Sequence, residues 1–308
     1  MVSTMEIYMV LYIVIGCIVV TVNVPICCLI YFSKALRPSK ELILIGGLCL
    51  ADAVQSLADI LAGGQRLVLY AHQQQDGMET SLRCFFQPFN ILFFFGYHLV
   101  GIMSMLVSID RMFAVFMPLK HRVMFSRRNG ITMTIGALTF SALAFIVCLV
   151  LQTNFNVKMS ILCFGSQAYL PMVWEYVHHI RLMPVLISIA LYVPISWKLY
   201  RIVKTQKHAV GWKSENYKRL ANFTKTVGFV SVGALILLVI PDLIVTYFKG
   251  FIGDYDKALF IVAHSKAILN IFIFTMRHGG LRKTCATFLR RLTPFRIVVH
   301  VKPIDGTR

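Results

Sequence analysis

Asp52, Asp59 and Arg66 recur every seven residues within a run that is otherwise largely apolar, and Asp110 and Arg111 stand side by side at the end of another. Seven residues fall only about 20° short of two full turns of an α-helix, so the first three share one stripe. Hydrolytic or metal chemistry would need a nucleophile with a base, or clustered Cys and His, at helical spacing. Neither pattern occurs, and His178 and His179, being adjacent, lie on different helix faces. The chemistry left to such charges is pairing and switching, because an ionised group inside an apolar run must find a partner. The reading is therefore not an enzyme, with no cofactor and no metal.

The surrounding elements explain why those charges need partners. Of 308 residues 57% are hydrophobic and 14% charged, with a mean hydropathy of +0.72, outside the range of soluble globular domains. A helix crossing a bilayer needs about 20 mostly apolar residues. Seven runs qualify: 7–32, 42–63, 85–107, 131–151, 170–200, 220–248 and 258–276. The fold class is an all-α membrane protein, a seven-transmembrane helix bundle. The first run is too long for a cleavable signal peptide and no basic region precedes it, so it reads as a span.

Basic residues set the orientation. Most of the 31 Lys and Arg fall in the first, third and fifth connections and after the last run, as in Lys34, Arg127, Lys204 and Arg282. By the positive-inside rule the amino terminus is outside and the carboxyl terminus cytoplasmic, in a multi-pass protein of the plasma membrane. A net charge of +18 would also suit nucleic acid, but these residues border spans and meet anionic lipid of the bilayer, so no nucleic-acid partner is expected.

Five of the eight cysteines, Cys17, Cys27, Cys28, Cys49 and Cys148, lie in spans and read as small core residues. Cys84 and Cys163 fall at the outer, oxidising face. A bridge there would close a loop of about 80 residues and stabilise by roughly 2–4 kcal/mol; spacing alone does not decide whether it forms. After Gly279 and Gly280, which break the seventh helix, Leu281, Cys285, Phe288, Leu289 and Leu292 mark one helical face. A surface helix over 281–292 follows, its apolar stripe in the acyl boundary. Cys285 there is placed for palmitoylation or for a plain apolar contact. The receptor domain is 1–292 and the cytoplasmic tail 293–308.

LCLAD in the second run, DRMFAVFMPL after the third, NIFIF before the surface helix and the outer cysteine pair together resemble the rhodopsin-like G-protein-coupled receptors. The start CFF of the third helix, the stretch SIDRMFAVFMPLKHR and the absence of Trp before Pro241 are most similar to nematode serpentine chemoreceptors, class SX. The resemblance implies a heterotrimeric G protein as partner, engaged around Asp110, Arg111, Pro118 and Leu119. It implies that Tyr192 meets Arg111 in active states, that Pro241 kinks the sixth helix, and that Asp52, Asn23 and Asn270 form a polar core. Buried polar groups serving as packing glue between helices are the competing account of that core.

Departures from the pattern carry their own expectations. Lys266 stands one turn before Asn270, where relatives have a small polar residue near a bound sodium, and is expected to pair with Asp52 in place of the ion. Lys266 is also out of register with the retinal-bearing lysine of opsins. Phe274 replaces a tyrosine and Ile271 a proline, Met112 replaces the tyrosine after Arg111, and Ala221 stands where an acid would face Arg111. Appreciable basal activity is expected.

For a small-molecule ligand the candidates are Phe93, Tyr97, His98, Asp242 and His264, with Trp174, Glu175, His178 and His179 near the outer end of the fifth helix. Phe93 occupies the place of the aspartate of amine receptors, which argues against an amine held in that way. The alternative class is a seven-helix channel or transporter, which would be expected to show charged rings, repeats or interrupted helices; no convincing repeat is found. The sequon at 222–224 falls on the inner side, away from glycosylation.

Overall fold

The computed structural model describes residues 4–36, 42–155, 157–206, 226, 228–248, 256–277 and 279–292. Seven of its helices are long and apolar enough to cross a membrane. They are α1 (Thr4–Phe32), α2 (Leu42–Ala71), α4 (Pro88–Phe116), α6 (Arg127–Thr153), α8 (Pro171–Gln206), α9 (Gly228–Tyr247) and α10 (Asp256–Arg277). Between them lie the short helices α3 (Ser81–Phe85), α5 (Pro118–Met124) and α7 (Gly165–Ala168), and α11 (Gly279–Leu292) follows α10. Apart from α9, the spans run longer than the apolar runs alone predict, because polar residues at their ends continue the helix. The third span begins at Pro88 rather than 85: Phe85 closes α3, and Pro88 starts a new helix where its missing N–H is not needed.

The bundle is all-α as expected, and two local details differ. A two-stranded antiparallel ribbon, β1 (Met78–Thr80) with β2 (Lys158–Ser160), pairs Met78 with Ser160 and Thr80 with Lys158. It lies beside the Cys84–Cys163 disulfide, whose Cα atoms are 5.2 Å apart. Gly279 and Gly280 do not separate the last two helices; both belong to the first turn of α11. Leu281 is fully buried in the bundle core and Cys285 half-buried against it, where burial raises the thiol pKa above its ordinary value. Ala221, the sequon at 222–224 and the tail 293–308 lie outside the described residues.

α2 is the central helix: 78% of its most apolar window is buried, against 28% for α1 and 22% for α6. Residues such as Ile7, Val14, Ile135, Leu143 and Val147 of the two outer helices are about half exposed or more. These faces meet lipid, which also accounts for Cys17 and Cys28. Both are exposed rather than core residues, since a bilayer accepts a thiol as readily as a core does. Helices approach closely at glycines. A Cβ on Gly96 of α4 would lie 2.8 Å from the Gln55 Cβ of α2, and one on Gly101 would collide with the Ile180 carbonyl of α8.

Candidate functional site

The stripe of Asp52, Asp59 and Arg66 is buried throughout, with exposures of 5%, 3% and 6%. Burying charge without compensation is costly, and each has its own partners. Arg66 donates from Nε to the Leu162 carbonyl at 2.9 Å and from Nη2 to that of Cys163 at 3.3 Å. Its guanidinium faces the Phe164 ring at 4.3 Å. Cys163 adopts φ 47°, uncommon for a residue with a side chain, and its carbonyl also accepts from Asn90. Arg66 therefore fastens α2 to the segment the disulfide already pins.

Two turns earlier in α2, the Asp59 carboxylate lies 2.9 Å from His264 Nε2, while His264 Nδ1 donates to the Phe260 carbonyl at 2.7 Å. The Gln55 amide nitrogen is 3.0 Å from the same Nε2. Asp59 and His264 thus form a buried pair, with Gln55 beside it. Asp52 in turn accepts from Asn270 Nδ2 at 3.3 Å and has Lys266 Nζ at 3.8 Å from Oδ1. That separation is an ion pair without a hydrogen bond, and among the described residues Nζ has no hydrogen-bond partner. Lys266, Ser104, Ser108, Ser188 and Phe274 line a small void of about 20 Å³, room for about one water.

Asn23 is not joined to Asp52. Its amide donates to the Val19 carbonyl of its own helix at 3.0 Å, the i−4 bond that a short polar side chain makes inside a helix. In place of the expected Asp52, Asn23 and Asn270, the structure groups Asp52, Asn270 and Lys266.

Toward the disulfide end a cavity of about 630 Å³ opens between α1, α2, α4, α8, α9 and α10, with residues 164–169 along one wall. Phe93, Tyr97 and Asp242 line it, as do Trp174, Glu175, His178 and His179. His98 and His264 are not in its lining. His98 is fully buried between the Phe94 carbonyl, 2.8 Å from Nδ1, and the Tyr176 hydroxyl, 3.1 Å from Nε2, and it stacks on Phe94. Its polar atoms are satisfied by helix packing. His264 is turned instead to Asp59, which does reach the cavity wall.

Sequence reasoning missed Arg181. It sits in the first third of α8, is 2% exposed, and lines the cavity with Nε 3.4 Å from Asp242 Oδ2 and its guanidinium over the Tyr97 ring at 4.4 Å. The signal was present: a guanidinium three residues before Pro184 in an apolar run needs a buried partner.

At the opposite end of the bundle Arg111 donates to Asp110 Oδ2 from Nε at 2.8 Å and from Nη2. Asp110 Oδ1 lies 2.8 Å from His121 Nε2 on α5, and the His121 ring stacks on Phe125. His121 was also missed, because a histidine beside basic loop residues reads only as charge. Pro118 starts α5, and Leu119 is 79% exposed. Tyr192 is buried with its hydroxyl unpartnered among the described residues, and Phe274 is buried. Pro241 follows a π-helical turn, Leu235–Val239, in α9. The missing N–H at Pro241 removes one rung of the helical ladder there.

The sequence matches the family described as 7 transmembrane receptor (rhodopsin family) over residues 22–276. Comparison with curated proteins finds no match.

Proposed function

Because the chain belongs to the rhodopsin family of seven-transmembrane receptors, we propose that it is a chemosensory receptor of the plasma membrane. It takes a small molecule into the cavity and activates a heterotrimeric G protein at the Arg111 end. In this reading the disulfide end faces outward, the Arg111 end and α11 face the cytoplasm, and Leu119 and its neighbours on α5 form part of the G-protein contact.

The observation that supports the reading most is a line of buried polar pairs that runs from the cavity into the middle of the bundle. Asp59–His264 borders the cavity, and Asp52–Asn270–Lys266 lies below it on the same two helices, α2 and α10. A molecule that shifts α10 against α2 acts on both pairs at once. The π turn before Pro241 gives α9 a place to bend.

The test is a screen of volatile and water-soluble small molecules on cells co-expressing the chain with promiscuous G proteins. Ligand-evoked signalling that depends on the G protein and weakens on alanine substitution of Phe93 or Tyr97 is expected. Ligand-evoked current without G protein would instead favour a channel.

A further inference from the structure

Within the cavity, charge and hydrogen-bonding capacity do not balance. Arg181 is almost completely buried, yet its Nε and Nη2 have no hydrogen-bond partner among the described residues. Asp242 Oδ2, 3.4 Å away, is likewise without a hydrogen bond. Tyr97 lies across one face of the guanidinium at 4.4 Å and Phe260 is 5.5 Å from it, so its plane is held while its Nε and Nη2 stay unpaired among the described residues. Such a fork matches a carboxylate through two parallel bonds, which an ammonium does not offer.

Two guanidiniums, those of Arg66 and Arg181, face the cavity. Asp242 offsets Arg181, and Asp59 is turned to His264. Arg66 has carbonyls and aromatic rings about it and, among the described residues, no carboxylate within ion-pair distance. At the rim Glu175 and Lys257 are of opposite sign and less buried. An anion entering this space gains from a guanidinium without an ion-pair partner among the described residues and satisfies the unpaired donors of another.

We propose that the ligand is a small organic acid whose carboxylate accepts hydrogen bonds from the Arg181 guanidinium, with its apolar body against Phe93, Tyr97 and Trp174. The proposal rests on the reading of this cavity as the ligand site. It also provides a route to the Arg111 end. Arg181 belongs to α8 and Asp242 to α9 just beyond the π turn, so an acid that engages Arg181 draws it from Asp242 and loosens a link between the two helices.

The experiment uses the purified full-length receptor in lipid nanodiscs, with benzoate, phenylacetate and hexanoate, their primary amides and the corresponding amines as probes. Thermal stability and competition binding are read for each. At least one acid is expected to stabilise the receptor saturably, with its amide about tenfold weaker or worse. Arg181→Gln should erase the difference between acid and amide, and Arg181→Lys should keep part of it. If Arg181→Gln does not fold, Asp242→Asn decides: freeing the guanidinium of its internal carboxylate should strengthen acid binding several-fold. Amides or amines binding as tightly as acids, no acid binding, or an acid preference that survives Arg181→Gln would overturn the proposal. Nucleotide exchange on an added G protein is followed in the same samples. Acid binding without any exchange would leave the carboxylate site standing and count against the receptor reading, while exchange driven by amines would do the reverse.

Discussion

His121 Nε2 lies 2.8 Å from one oxygen of Asp110, whose other oxygen is held by Arg111. A single buried carboxylate thus ties the end of α4 to α5 and restrains the arginine beside it. Hydrogen bonds to a charged group are worth about 1.5–3 kcal/mol, so removing the charge changes the equilibrium about tenfold or more. Asp110→Asn is expected to raise ligand-free nucleotide exchange by about that factor. His121→Ala leaves the Asp110–Arg111 bonds intact but releases α5, and should lower coupling to G protein without raising basal exchange. Exchange rates of the two variants beside the parent separate these effects, and equal behaviour of both would contradict the division of roles.

The Asp52–Lys266 pair yields a prediction about sodium and one about stability. An ammonium 3.8 Å from the carboxylate occupies the charge-neutralising role, so ligand binding and melting temperature should be the same in sodium chloride and choline chloride. Lys266→Met leaves Asp52 buried without its cation and should cost about 3–5 kcal/mol. Combining it with Asp52→Asn should recover most of that loss, since an asparagine keeps a bond to Asn270. Additive losses in this cycle, read by thermal unfolding, would mean that the two residues do not act on each other.

Much of this was legible in the sequence, and the omissions have a common cause. Hydropathy located all seven spans, because lipid imposes length and apolarity directly. The partnership of Asp52 and Lys266 was readable because two opposite charges in adjacent helices of a bundle must meet or be neutralised. Arg181 obeys the same rule, yet its partner Asp242 lies 61 positions away on a helix whose rotation the sequence does not reveal. His98 fails in the other direction. An aromatic, ionisable residue in the outer half of a helix looks like a ligand contact, and only packing shows it satisfied by Tyr176 and the Phe94 carbonyl. Asn23 shows that a polar residue can be satisfied within its own turn, which spacing between helices never registers.

The disulfide and Arg66 act on the same segment from two sides. Cys163→Ser opens a loop between residues 79 apart and should cost about 2–4 kcal/mol. Arg66→Met removes two hydrogen bonds to the Leu162 and Cys163 carbonyls while keeping apolar contact with Phe164. Since Phe164, Gly165 and Ser166 form one wall of the cavity, both variants should weaken probe binding as well as lower the melting temperature. Loss of stability with binding unchanged would show that the wall keeps its shape without them.

Gly101 and Gly136 provide a matched pair on the packing that holds Arg181. A methyl group at Gly101 would meet the Ile180 carbonyl, with the Arg181 carbonyl 3.2 Å away, whereas one at Gly136 finds nothing within 4 Å. Both positions are helical, so alanine brings the same propensity gain of about 0.5–1 kcal/mol to each. At Gly136 that gain stands alone and the melting temperature should rise slightly. At Gly101 it is opposed by overpacking of about 1–3 kcal/mol, and relief of the clash must push α8 away at the turn that carries Arg181. Gly101→Ala should therefore lower the melting temperature and weaken binding at the cavity, although the substituted residue does not line it. Thermal unfolding and probe titration of the two variants measure both effects, and a stabilised Gly101→Ala with unchanged binding would mean that α4 and α8 are not in the close contact on which the placement of Arg181 depends.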